Sequence, residues 1–117
     1  MVITVLLVKI GEPLKISPDP AFVPRGQQIR WVFAVMDKSI TQTRLGWKIY
    51  FDGANPFNAK GGASFDWTSP YFSSGLEDSS IIPGEANAPG DYKYGIQVVD
   101  IRHGQVLGDD DPYLIVR

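Results

Sequence analysis

The chain has 117 residues with a formal net charge of −2, and 44% of its residues are apolar and 21% charged. This is the length of one domain able to bury its own core. The proportion of apolar to charged residues excludes the disordered, collagen-like and coiled-coil classes of protein. The lysines and arginines are dispersed, which argues against binding to nucleic acid or anionic membranes. The absence of cysteine excludes disulfides, thiolate metal sites, iron–sulfur clusters and a cysteine nucleophile.

Residues 1–10 are mostly apolar and predict the first strand. They carry no basic leader and no small-residue cleavage site, and they fall short of the ~20 residues that a membrane helix needs. We therefore expect neither a signal peptide nor a transmembrane segment in this chain. The compartment stays open, since export followed by processing would leave the same sequence.

Nine prolines and twelve glycines interrupt the chain. No stretch keeps a helical period, so helices are expected only as short turns around the long loops. Alternation with a period of two instead predicts strands. The predicted strands begin near Val2, Leu14, Gln27, Trp47, Ile81, Asp91 and Tyr113.

Three segments place apolar side chains at alternate positions, which is typical of half-buried antiparallel strands. The predicted inward sets are Ile29, Trp31, Phe33 and Val35; Trp47, Ile49 and Phe51; and Tyr92, Tyr94, Ile96 and Val98. These segments and the turns between them predict an all-β fold, one antiparallel Greek-key β-sandwich of seven or eight strands that spans residues 1–117 as a single domain. The long connections 37–46 and 52–64 are candidate functional loops.

Two parts of the chain resemble the cupredoxin-like family. Residues 22–33 are similar to a short extended run, a proline–glycine turn and a following strand that carries a tryptophan. Residues 90–96 are similar to the family's strand of glycine and alternating aromatics that leads to a copper-binding cysteine, and residues 113–116 to its closing strand. Immunoglobulin-like domains also place a tyrosine two residues before a cysteine, as Tyr94 stands before Ile96, so an immunoglobulin-like sandwich is the alternative.

The resemblance implies a blue-copper site whose ligands this chain lacks. Such a centre takes two histidines and a cysteine, usually with a weak axial methionine. Ile96 stands at the cysteine position, His103 is the only histidine, and neither Met1 nor Met36 follows it. We therefore expect a copper-free scaffold without a cofactor, in which Ile96 is part of the core.

His103 and three consecutive acids are the candidate metal ligands. His103 is interpreted as a solvated residue of a hairpin tip or connecting loop, with no second histidine, cysteine or nearby ordered acid to support catalysis. Asp109, Asp110 and Asp111 offer carboxylates to calcium, but they lack the alternating spacing of an EF-hand loop. We interpret the run as a charged turn before the last strand, where acids repel edge-to-edge pairing.

An aromatic cluster beside the second long loop is the candidate contact surface. Trp67, Tyr71 and Phe72 follow Phe65 within a short stretch of chain. Such rings anchor protein partners and also stack on sugars. The same pattern is compatible with Phe65, Trp67 and Phe72 in the core and Tyr71 at the rim.

The sequence contains no nucleophile motif, phosphate loop or dinucleotide-binding pattern, so we expect no enzymatic activity. The residues and the resemblance together predict a non-catalytic, copper-free binding or assembly module whose loops and sheet face contact another protein or a second copy of the chain. A carbohydrate-binding domain that uses Trp67, Tyr71 and Phe72 is the alternative. A residual metal-binding or electron-transfer protein that uses His103 is the second alternative.

Overall fold

The computed structural model describes residues 1–40, 45–51, 54–57, 85–100 and 102–117, and the backbone of residues 65–68 and 77–81. Within these ranges the chain forms eleven strands and no helix. The strands are β1 (Val2–Leu7), β2 (Lys15–Ser17), β3 (Ala21–Val23), β4 (Arg30–Val35), β5 (Leu45–Phe51), β6 (Phe65–Thr68), β7 (Glu77–Ile81), β8 (Gly90–Lys93), β9 (Gly95–Asp100), β10 (Gln105–Asp110) and β11 (Tyr113–Val116). The described part of the chain thus has no helix able to cross a membrane.

The strands form three sheets, with the orders β2-β1-β4-β7, β10-β9-β5-β6 and β3-β11-β8, which we name the first, second and third sheet. The predicted all-β sandwich is confirmed. The expectation of seven or eight purely antiparallel strands is corrected, because the described strands are shorter and more numerous. In addition, β1 and β4 run parallel, as do β3 and β11, whereas the other described pairs are antiparallel.

The strand boundaries show why the predicted number was too low. Alternation across residues 92–98 predicts one strand, but β8 ends at Lys93 and β9 begins at Gly95. Ile81 is the last residue of β7 rather than its first. That strand reads Glu-Asp-Ser-Ser-Ile, a composition with low β propensity, and its pairing with β4 overrides the local preference. The other predicted strands begin within three residues of the observed starts.

The core lies between the first and second sheets, and the predicted alternation is confirmed there. Ile29, Trp31 and Phe33 are fully buried, and Val35 is half-buried. Phe33 stacks on Trp47 of the second sheet with ring centroids 5.5 Å apart and planes 28° from parallel. The third sheet adds its inward side chains to the same cluster: Ala21, Val23, Tyr92, Leu114 and Val116.

A bent ribbon joins the second and third sheets, because β8 continues into β9 while β10 continues into β11. The bend is at Tyr94, whose hydroxyl accepts a hydrogen bond from Trp31 Nε1 at 3.3 Å. The Tyr94 ring stacks on Phe51 with centroids 4.9 Å apart. Burial raises the pKa of Tyr94 well above its ordinary value. Ile96 follows the bend and is fully buried, so its predicted place in the core is confirmed.

Candidate functional site

The outer surface of the third sheet carries exposed aromatic and charged side chains. Alternation along its strands sends Val23, Tyr92 and Leu114 inward. The intervening residues of the same strands therefore point outward, away from the core. We call this surface the aromatic face; it consists of Phe22, Asp91, Lys93, Tyr113, Ile115 and Arg117.

Two rings dominate the aromatic face, and a cation lies over each. Phe22 is 56% exposed and Tyr113 is 48% exposed. The Arg117 guanidinium carbon lies 5.7 Å from the centre of the Phe22 ring, and Lys93 Nζ lies 5.9 Å from the centre of the Tyr113 ring. Cation–π contacts at exposed sites contribute about 0.5–1 kcal/mol each, enough to favour one arrangement of these side chains.

A shallow apolar groove crosses the aromatic face. Phe22, Val23, Pro24, Ile115 and Arg117 line a volume of about 270 Å³ that opens to solvent. The register places Phe22 directly beside Ile115 on the neighbouring parallel strand. The groove therefore has apolar walls and a guanidinium at its rim, a combination suited to an apolar side chain with a nearby carboxylate.

The backbone holds Tyr113 in place at the start of β11. Its N–H donates to Asp19 Oδ1 at 3.0 Å, a contact between residues far apart in sequence. The next residue, Leu114, is fully buried. The tyrosine ring is thus presented on backbone that is fixed at Tyr113 itself and at the next residue, which lowers the entropy lost when the ring is covered.

The free edge of β3 is protected by prolines. Arg117 N–H donates to the Val23 carbonyl and Arg25 N–H donates to the Arg117 carbonyl, so the odd-numbered residues of this strand bond to β11. The backbone N–H and C=O groups of the even-numbered residues point toward the edge instead. Two of these residues, Pro20 and Pro24, have no N–H to donate. Phe22 lies between them. Addition of another strand at this edge is therefore disfavoured.

A second cleft adjoins the aromatic face at Lys93. Tyr50, Lys93, Tyr94, Gly95 and Asp111 line a volume of about 290 Å³. The Tyr50 ring lies so close to Gly95 that a Cβ there would come within 2.1 Å of Tyr50 Cζ. Desolvation raises the pKa of Tyr50, and the nearby negative charge of Asp111 adds to the effect. The lining of this cleft thus combines a phenol, an ammonium and a carboxylate.

The structure tests little of the aromatic cluster expected from the sequence. Trp67 occupies a register position in β6 opposite Ile49, and its side chain lies outside the described residues. Tyr71 and Phe72 also lie outside them. The predicted contact surface built on these three rings therefore stays a prediction.

His103 has an ordered partner that the sequence analysis missed. It lies in the turn between β9 and β10, with a side chain that is 68% exposed, and its Nδ1 is 2.9 Å from Asp100 Oδ2. The hydrogen bond from His103, followed by the one from Arg102 N–H, lowers the pKa of Asp100. The expectation of no nearby ordered acid is therefore wrong. The Asp-x-x-His spacing across a hairpin turn was the available signal.

The acidic run is only partly the turn that was predicted. Asp109 and Asp110 are the last two residues of β10 and pair with Gln97 and Ile96, so they alternate across the strand. Asp111 follows, and its N–H donates to Asp110 Oδ1 at 2.9 Å. Among the residues that the structure describes, no three metal-binding side chains come together, at this run or at His103.

The residues at the expected copper position do not fit that metal. Ile96, at the cysteine position of the resemblance, has a fully buried aliphatic side chain. The sequence supplies neither a thiolate nor a second histidine, and the imidazole of His103 is bonded to Asp100 in an exposed turn. Two histidines and a thiolate are the minimum of a blue-copper centre.

No protein-family model matches the sequence, and no curated protein matches it. Among solved structures the chain is similar to auracyanin A, a "blue" copper protein from the green thermophilic photosynthetic bacterium Chloroflexus aurantiacus, with a TM-score of 0.48, 15% identity and coverage of 100% of this chain and 98% of that one. It is similar to auracyanin B with a TM-score of 0.46, 13% identity and coverage of 99% and 88%. It is also similar to Fet3p, a multicopper oxidase that functions in iron import, with a TM-score of 0.44, 6% identity and coverage of 98% of this chain and 27% of that one.

Proposed function

We propose that the chain is a non-catalytic protein-binding module that uses the aromatic face to dock its partner. The observation that carries the proposal is the pair of exposed rings, Phe22 and Tyr113, held on a hydrogen-bonded sheet with a cation over each. Aromatic residues and arginine are enriched at the energetic centres of protein interfaces. A face that presents them without a loop rearrangement loses little entropy on binding.

The cations favour a protein partner over a carbohydrate at this face. Sugar rings stack on the flat side of an aromatic ring, and Arg117 and Lys93 lie over that side of Phe22 and Tyr113. A carboxylate, by contrast, can pair with either cation while an apolar side chain enters the groove. Carbohydrate binding would instead depend on Trp67 and the rings near it, and tryptophan fluorescence titrated with soluble glycans would detect it.

The charges of the aromatic face define the chemistry of the partner. Lys93 and Arg117 contribute two positive charges and Asp91 one negative charge, although the whole chain is weakly acidic. The groove beside Phe22 accepts an aliphatic or aromatic side chain. We therefore infer a partner segment in which an apolar residue stands next to one or two acids.

A random peptide library displayed on phage tests the proposal directly. Wild-type protein should enrich peptides with an apolar residue beside acids. Because truncation of a central aromatic anchor typically costs at least about 2 kcal/mol, Phe22→Ala and Tyr113→Ala should weaken the selected peptides by about 30-fold or more. Val106→Ala is the matched control, because Val106 is 46% exposed but lies on β10, outside the aromatic face.

Folding of each variant is checked by its thermal midpoint, which should stay close to that of the wild type because the truncated rings are exposed. Peptides that bind Phe22→Ala and Tyr113→Ala as well as wild type would refute the role of the aromatic face. An equal loss with Val106→Ala would refute it as well, because that result would show a nonspecific apolar effect.

A further inference from the structure

The cleft beside the aromatic face continues that face across the bend of the ribbon. We call it the Tyr50 cleft; it is lined by Tyr50, Lys93, Tyr94, Gly95 and Asp111. Lys93 lies between two buried residues of the ribbon, and Tyr50 lies between two buried residues of β5. Alternation therefore turns both side chains away from the core, onto the outer surface that also carries Tyr113 and Ile115.

The Tyr50 cleft is bordered by an ammonium and a carboxylate that do not pair with each other. Within the residues that the structure describes, neither Lys93 nor Asp111 takes part in an ion pair, and both side chains belong to exposed residues. Lys93 Nζ lies 5.9 Å from the centre of the Tyr113 ring, at the border between the cleft and the aromatic face. The cleft therefore offers a cationic donor and an anionic acceptor to the same ligand.

Tyr50 adds a hydroxyl in a fixed position. Its ring rests on Gly95, where a Cβ would come within 2.1 Å of Tyr50 Cζ, and Lys48 Nζ lies 5.3 Å from the ring centre. Desolvation, together with the negative charge of Asp111, raises the pKa of Tyr50, so the hydroxyl keeps its proton at neutral pH. The phenol is therefore a second, uncharged donor at the edge of the cleft.

The charges of the cleft decide which chemical group fits it. A carboxylate would be repelled by Asp111, and an ammonium would be repelled by Lys93. An apolar side chain would remove water from both charges without replacing its hydrogen bonds. A carboxamide is neutral, accepts hydrogen bonds through its oxygen and donates two through its nitrogen. It can therefore accept from Lys93 while it donates to Asp111, and both hydrogen bonds are strengthened by the charge of the protein group.

The register of the third sheet gives the separation between the apolar groove and the Tyr50 cleft. Ile115, which lines the groove, stands opposite Asp91, and Tyr113 stands opposite Lys93. Gly95, which lines the cleft, is four residues beyond Asp91 on the ribbon, or about 13 Å at 3.3 Å per residue. An extended segment of a partner covers this separation in four residues, and side chains four positions apart point to the same side.

We propose that the Tyr50 cleft binds a carboxamide side chain, asparagine or glutamine, four residues from the apolar residue that enters the groove beside Phe22. This inference rests on the proposed function, because both side chains belong to the same extended partner segment. It adds a second determinant of specificity to that function. The acid next to the apolar residue pairs with Arg117, and Lys93 then serves the carboxamide.

A double-mutant cycle across the interface tests the assignment. The probe is a peptide from the phage selection that carries the apolar residue and a carboxamide four positions away, compared by titration calorimetry with the same peptide in which alanine replaces the carboxamide residue. Alanine should weaken binding to the wild type about tenfold, the lower end of what hydrogen bonds to charged groups contribute. Asp111→Ala removes the acceptor, so the two peptides should then differ by less than about threefold. A selection repeated with Asp111→Ala should replace the carboxamide with an acid, because Lys93 then acts without an opposing charge.

The matched control is Glu12→Ala, which removes an exposed carboxylate outside the cleft and the aromatic face and should keep the tenfold difference. If the difference is the same in Asp111→Ala as in the wild type, or if the selection enriches no carboxamide at that spacing, the assignment of the cleft is overturned. The proposed function survives that result as long as Phe22→Ala still weakens the peptides. Peptides that bind Phe22→Ala as well as wild type would refute the proposed function, and the role of the cleft with it.

Discussion

The hydrogen bond between Trp31 and Tyr94 provides the most direct test of how the bent ribbon is attached to the core. The Trp31 side chain is fully buried, and its Nε1 donates to the Tyr94 hydroxyl. Tyr94→Phe removes that acceptor but keeps the ring that stacks on Phe51. The indole N–H is then left without its partner inside the core, which costs about 1–3 kcal/mol of the free energy of unfolding.

This cost converts to a thermal shift that calorimetry resolves. With an unfolding entropy of about 2.1 cal/mol/K per residue, a chain of 117 residues changes its midpoint by about 4 °C per kcal/mol. Tyr94→Phe should therefore lower the midpoint by about 4–12 °C. Tyr113→Phe is the matched control, because that ring is exposed, and it should shift the midpoint by less than about 2 °C.

The dependence of folding stability on pH in the alkaline range gives an independent readout of the same side chain. Burial raises the pKa of Tyr94 in the folded state above the ordinary value of 10.0, so the unfolded chain loses this proton first. The stability that Tyr94 contributes is complete below pH 10 and declines as the pH rises further. Tyr94→Phe should make that decline shallower. If the Tyr94→Phe midpoint stays within 2 °C of wild type and stability falls with alkaline pH as steeply as in the wild type, the idea that this hydroxyl is a buried acceptor is refuted.

Two further variants probe single contacts. Gly95→Ala forces the Tyr50 ring away and should lower the free energy of unfolding in urea by about 1–2 kcal/mol. The same change in a Tyr50→Ala background should cost almost nothing. Equal costs in both backgrounds would contradict the steric explanation. Because the hydrogen bond from His103 lowers the pKa of Asp100, the stability from this carboxylate is present above pH 3.8 and is lost as the pH falls through its folded-state value. Asp100→Asn should therefore reduce the fall of the urea midpoint as the pH is lowered from 7 to 2. An unchanged fall of the midpoint at acid pH would argue against the contact between Asp100 and His103.

The core could be predicted because its signal is local. Trp31, Phe33, Trp47 and Ile49 lie at alternate positions, and a period of two requires no knowledge of which strands pair. All four are fully buried in the structure. The bend at Tyr94 could not be found in this way, since residues on both sides of it keep the same alternation while the partners of the ribbon change from β11 to β10.

The aromatic face escaped prediction for a different reason. Phe22 was considered only as part of an extended run, because a three-residue strand is too short to show a period. Tyr113 starts a strand whose residues are mostly apolar, so the sequence does not indicate which side is covered. The parallel pairing of β1 with β4, which places Leu6 beside Ala34, is likewise a long-range property of the topology.

Two edges of the described sheets, β10 and β3, are protected while the aromatic face is exposed, and that contrast supports the proposed recognition by the face. The β10 edge is covered, because Gly11 and Leu14 donate backbone hydrogen bonds to the Leu107 and Asp109 carbonyls. The β3 edge is protected by Pro20 and Pro24.

Strand addition, which depends on free backbone groups and tolerates many sequences, is thus suppressed at these two edges of the described sheets. The aromatic face keeps the rings of Phe22 and Tyr113 in solvent instead. Under the proposed function, contacts at this face depend on side-chain shape and charge rather than on free backbone groups.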